Sequence, residues 1–177
     1  MPIPQGSPDA ADVLIRPEVA ADRDAVRSLL CAAFGGTTEA AIVDRLRAAE
    51  GSLSLVAAEQ GAVVGQVLFT TASLGVAAPA RVALLGPMAV APPRQRGGIG
   101  SRLVAAGIAA CREAGYQAVV VIGHAEYYPR FGFRSAASFG LTAPFEVPDE
   151  VFMAQELVHG GLAGGGQVRL APAFLEP

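Results

Sequence analysis

Apolar positions change their spacing several times along the chain, and each change predicts an element. VLIRP (13–17) is a short apolar run stopped by Pro17, which predicts a strand. AADRDAVRSLLCAAF (20–34) sets Val26, Leu29, Leu30 and Ala33 at helical spacing, and TTEAAIVDRLRAA (37–49) repeats the pattern with Ile42, Val43 and Leu46, Thr38 being its expected cap. LSLVAAEQGAVVGQVLFTTASLG (53–75) predicts two strands joined near Gln60-Gly61, and ARVALLGPMAV (80–90) a third. A helix is expected from Ile99 to Ala114, with Ile99, Leu103, Ala106 and Ala110 on one face and Gly115 ending it. YQAVVVIG (116–123) is continuously apolar, as a buried central strand should be. AEYYPRFGF (125–133) predicts a short helical turn ended by Gly132, and VFMAQELV (151–158) with GQVRLAPAF (166–174) predicts a hairpin about a Gly-rich turn.

The polar, Pro-containing residues 1–11 predict a flexible tail, leaving 12–177 for a single α/β domain with a C-terminal extension from about residue 142. Apolar residues make up 52% and mean hydropathy is +0.43. Yet Gly, Pro or Arg interrupts every apolar run well before the roughly 18 residues a spanning helix needs, so no membrane partner is expected. No basic region followed by an apolar one opens the chain, which predicts a cytoplasmic address. Cys31 and Cys111 each sit alone in a helical pattern and are expected to be buried bystanders; with His124 and His159 also isolated, no metal site is predicted.

Charge changes the picture in the middle of the chain. All 13 positive charges are arginines. Between Gln60 and Arg112 there is no Asp or Glu, while Arg81, Arg94, Arg96, Arg102 and Arg112 fall there. That distribution suits an anionic ligand, whereas the net charge of −3 and the lack of Arg–aromatic interleaving argue against nucleic acid. At its centre, VAPPRQRGGIGSRLV (90–104) runs from a strand through a Gly-rich turn into a helix. Unpaired N–H groups and the positive end of the dipole meet there, making a phosphate site. A P-loop would need a Lys that this chain lacks, and a dinucleotide fingerprint would need a third Gly where Leu103 stands.

Two motifs together resemble the GNAT superfamily of acyl-CoA N-acyltransferases. The signature Gln/Arg-x-x-Gly-x-Gly/Ala is met by Gln95, Gly98 and Gly100, and a tyrosine four residues before a Gly-Phe is met by Tyr128. The order of elements fits from about residue 12 to 140, and the GHAEYYPRFGF block is most similar to the YhbS-like group of predicted acetyltransferases. The resemblance implies an α/β (α+β) fold: a central mixed, mostly antiparallel sheet flanked by helices. Within it the strands at 82–90 and 117–123 should lie parallel and splay apart, with the helix from Ile99 crossing between them.

The implied cosubstrate is acetyl-CoA and the implied acceptor an amine, a small molecule or a protein amine, with no metal. Arg96, Gly97, Gly98, Ile99, Gly100 and Ser101 would hold the pyrophosphate beside Gln95, and the segment Met88, Ala89, Val90 would pair with the pantetheine arm as an added strand. Met88 would also offer its N–H to the oxyanion, and Tyr128 would protonate the departing thiolate. Tyr127, one residue away, points about 100° apart from it and is assigned to core or acceptor-side packing. Glu59, Glu39, Glu126 and a water chain remain as alternatives for the base, and a homodimer stays open. So does a second class of function, a non-catalytic coenzyme A-binding sensor or interaction module on the same fold.

Overall fold

The computed structural model describes residues 12–75 and 80–174. The expected tail, residues 1–11, lies outside them. Strands β1 (Val13–Pro17), β2 (Leu53–Glu59), β3 (Ala62–Leu74) and β4 (Val82–Val90) form an antiparallel meander, with helices α1 (Arg23–Phe34) and α2 (Thr38–Leu46) between β1 and β2. After α3 (Ile99–Glu113) comes β5 (Ala118–Ile122), then the short β6 (Arg134–Ser135) and β7 (Leu141–Thr142), then β8 (Phe152–Glu156) and β9 (Gly166–Arg169). The main path across the sheet is β1-β2-β3-β4-β5-β8-β6. As expected, β4 and β5 are parallel, with α3 as their connection. A second, two-residue parallel pairing joins β7 to β9.

Helices cover both faces because the central strands are apolar on both. Val67 and Phe69 of β3 pack with Leu103, Val104 and Ile108 of α3, while Leu68 between them packs with Val26, Leu30, Val43 and Leu46 of α1 and α2. The backbones of α3 and β3 come unusually close at Gly107, where a Cβ would stand 2.1 Å from the Phe69 ring. Helix propensity alone favours Gly107→Ala by about 1 kcal/mol. Overpacking costs about 1–3 kcal/mol, so this variant is expected to lower the denaturant midpoint. An unchanged or raised midpoint would show that Phe69 yields freely.

Three expectations are corrected. The segments around 151–158 and 166–174 do not pair with each other: β8 takes the free edge of β5 at five positions, from Ala118 opposite Glu156 to Ile122 opposite Phe152, and β9 pairs with the far end of β3. A buried apolar strand such as β5 needs a partner on each side, and that long-range demand overrides a local hairpin. The cap position of α2 is Thr37 instead of Thr38, with no side-chain bond, and the helix ends at Leu46. Cys111 is buried, but Cys31 is only half-buried.

Candidate active site

The site begins with an irregularity in β4. Opposite β3, Val67 faces Met88 and Phe69 faces Leu85, so β4 holds one more residue than its partner across Gly86-Pro87. Such a bulge bends the strand that carries it. Pairing with β5 stops at Leu85 opposite Val121, while β4 runs on to Val90. The parallel pair therefore splays, and a cleft of about 1020 Å³ opens between its ends.

Beyond the bulge, main-chain groups alternate between β3 and the cleft. The Ala91 N–H donates to the Val64 carbonyl at 2.8 Å, and the register places Ala89 opposite Gln66 with Val90 and Met88 at the intervening positions. In an antiparallel ladder the intervening residues turn their N–H and C=O away from the partner, toward the strand that has left. The Val90 carbonyl follows this rule, accepting from the Gln95 side-chain amide at 3.1 Å. Gln95 thereby ties the turn to the strand. Met88 and Val90 line the cleft, whereas the Ala89 side chain is buried against α1 and α2.

The phosphate-type turn lies along the same cleft. Arg96 and Gly98 adopt left-handed conformations, φ 63° and 86°, and α3 starts at Ile99 without any side-chain cap. The first backbone bond of the helix runs from Arg102 N–H to the Gly98 carbonyl. The preceding N–H groups therefore have no helical partner. Arg96, Gly98, Gly100 and Ser101 line the cleft; Gly97 is exposed beside it, and the Ile99 side chain is sunk in the core.

Most of the arginines that made the middle of the chain basic are committed elsewhere. Arg81 donates to the Ala114 carbonyl and stacks on Tyr116, Arg94 pairs with Glu59 at 2.5 Å, and Arg102 donates to the Val13 carbonyl. Arg96 remains at the cleft, joined by Arg130, which sequence reasoning missed; its place two residues after Tyr128 was the available signal. Glu59 is accordingly engaged as a salt-bridge partner and does not line the cleft. Glu126 and His124 are exposed and share a neighbouring depression, with His124 reaching the cleft as well. Of the three carboxylates considered as bases, Glu39 alone lines it.

Tyr127 and Tyr128 separate as their helical offset predicts. Tyr128 is buried, its ring lying where a Cβ at Gly123 would stand and meeting Phe133 edge-on at 5.7 Å. Burial, and secondly the neighbouring Tyr127, push its pKa up to about 12. Its hydroxyl makes no hydrogen bond among the described residues. The Tyr127 hydroxyl instead lies 3.3 Å from Ser101 Oγ, at the start of α3, while its ring packs half-buried against the main core and lines the cleft. The Cys111 thiol, buried and raised to about 12, is no nucleophile. Among the described residues no three His, Cys, Asp or Glu side chains gather as metal ligands, and no helix is long and apolar enough to cross a membrane.

The arrangement has close counterparts. Residues 23–133 match the Acetyltransferase (GNAT) family. The chain is 38% identical over 158 residues to the uncharacterized N-acetyltransferase YjhQ of Escherichia coli (strain K12), covering 85% of this chain and 87% of the relative. With the YhbS protein of the same strain, likewise an uncharacterized N-acetyltransferase, identity is 32% over 155 residues, covering 86% and 92%. The crystal structure of Escherichia coli YhbS in complex with CoA superposes with a TM-score of 0.86 at 31% identity, over 93% of both chains. A Brucella melitensis GNAT acetyltransferase in complex with acetyl-CoA gives 0.76 at 34% identity, over 92% and 97%. With the uncapped helix, the splayed strands and the buried tyrosine on one cleft, and a family match across all three, this chain belongs to the GNAT acetyltransferase family.

Proposed function

We propose that the protein moves an acetyl group from acetyl-CoA to a primary amine by direct attack on the thioester. The carrying observation is that unpaired N–H groups of the α3 turn, outward main-chain groups of Met88 and Val90, and Tyr128 share one cleft. The diphosphate would lie against the Arg96–Ser101 turn with Gln95 bracing it, and the pantetheine arm would run along Met88, Ala89 and Val90, bonding to the outward groups of Met88 and Val90. Two relatives were solved in complex with CoA and with acetyl-CoA, which supports the choice of cosubstrate.

In the reaction, the nitrogen lone pair of a neutral amine attacks the carbonyl carbon, a C–N bond forms and the C–S bond breaks. Met88 N–H stabilises the oxyanion. The attacking nitrogen loses its proton to water or to Glu39, and sulfur departs as a thiolate stabilised by a hydrogen-bond donor, taking its proton afterwards from solvent. Tyr128 supplies that donor. With a pKa of about 12 it stays protonated through the working range, and against a thiol near 8.5 it acts by donating a hydrogen bond as charge develops on sulfur. No covalent enzyme intermediate is required, since no activated nucleophile lines the cleft among the described residues.

The deciding experiment is acceptor-dependent release of free thiol from acetyl-CoA across a panel of small amines and peptide N-termini. Release that depends on both acetyl-CoA and an amine is expected. Coenzyme binding without release for any amine would favour a non-catalytic coenzyme A sensor or interaction module.

A further inference from the structure

Resting on the acetyl-CoA reading, we propose that Arg130, stacked on Tyr127, recognises a phosphate group on the nucleotide half of the coenzyme, and that the Tyr127–Ser101 contact positions it. The guanidinium of Arg130 lies 4.6 Å from the centroid of the Tyr127 ring. At the far end of that ring the hydroxyl meets Ser101 Oγ, and it stands 3.1 Å from where a Cβ on Gly100 would be. One ring thus spans the gap between the turn after β5 and the first turn of α3. The same ring carries a planar cation on the cleft that the turn lines.

Arg130 is exposed and has no carboxylate partner among the described residues, unlike Arg94, which is paired to Glu59. Arg96, in the turn that precedes α3, lines the same cleft. Two guanidinium groups without a carboxylate partner among the described residues share the cleft with an uncapped helix start that has no acid in its first turn, which matches a ligand carrying more than one phosphate. Stacking on Tyr127 preorganises the Arg130 fork, so less side-chain freedom is lost when it closes on an oxyanion.

Titration calorimetry with CoA, with dephospho-CoA (which lacks the 3′-phosphate) and with pantetheine tests the assignment. Arg130→Gln is expected to weaken CoA binding by roughly tenfold to a hundredfold and to leave pantetheine unchanged. An equal loss with dephospho-CoA would assign the contact to the diphosphate, and no loss there would assign it to the 3′-phosphate. Arg130→Lys, which keeps the charge without the planar fork, should recover part of the affinity. Tyr127→Phe keeps the ring and removes only the hydroxyl; it should cost a smaller factor, and less again in the Arg130→Gln background, since the two act as one unit.

CoA binding unchanged in Arg130→Gln would overturn the proposal, as would an equal weakening of pantetheine. Strict additivity of the Tyr127 and Arg130 effects would remove the positioning role. A wild-type protein that binds neither CoA nor dephospho-CoA would instead refute the acetyl-CoA reading itself.

Discussion

Replacing Gly98 with glutamate is expected to weaken acetyl-CoA binding by about a hundredfold or more. The residue sits at φ 86°, where an L side chain costs about 1–2 kcal/mol, and it immediately precedes the first residue of α3. Nothing stands within 4 Å of a Cβ built there, so the fold accommodates the side chain. What changes is electrostatic. A carboxylate beside the unpaired N–H groups takes the place intended for a phosphate and repels the one that arrives. Gly98→Asn separates the two contributions, because Asn tolerates the left-handed conformation and carries no charge. It should bind more weakly than wild type but clearly better than Gly98→Glu. Calorimetry that finds wild-type affinity in the glutamate variant would remove the diphosphate from this turn.

The second large effect is expected at Tyr128. Tyr128→Phe keeps the ring against Gly123 and Phe133 and deletes only the hydroxyl, so acetyl-CoA affinity should change little while turnover falls by about 10²–10⁴-fold where chemistry limits the rate. The elevated pKa adds a second signature. Because the protonated form persists to about pH 12, loss of the Tyr128 proton cannot produce a fall in kcat between pH 8 and 10. Any alkaline limb in that interval should survive in Tyr128→Phe, at lower absolute rate. Tyr127→Phe, acting through the coenzyme, should raise KM for acetyl-CoA more than it lowers kcat. If Tyr127→Phe is instead the variant with crippled turnover at saturating acetyl-CoA, the two tyrosines have exchanged roles.

Much of this site is legible in the sequence, for local reasons. Glycines at 97, 98 and 100 after a strand and before a helix imply an uncapped N-terminus whatever the rest of the chain does, because the unpaired N–H groups belong to the helix itself. The offset between Tyr127 and Tyr128 is likewise a property of one turn of backbone. A parallel arrangement of β4 and β5 followed from the helix that joins them. The bulge at Gly86-Pro87 was not among the expectations, although a proline inside an otherwise apolar strand was the available signal.

Contacts between distant segments were decided only by the tertiary structure. Sequence counted Arg94 and Arg102 toward a basic site, yet Glu59 and the Val13 carbonyl, remote in the chain, take them. Pairing of that kind depends on which strand ends and helix starts meet. It tied Glu59 to Arg94 away from the cleft lining, left Glu39 at the cleft, and brought in Arg130 from outside the acid-free stretch. The C-terminal strands make the same point. Their alternation was readable, but β8 and β9 went to β5 and β3 because burying two exposed sheet edges outweighs closing one short hairpin. Short-range pattern determined the elements, the uncapped glycine turn and the tyrosine offset; the partners of each charge and each strand edge were set by the packed fold, where distance along the chain no longer governs distance in space.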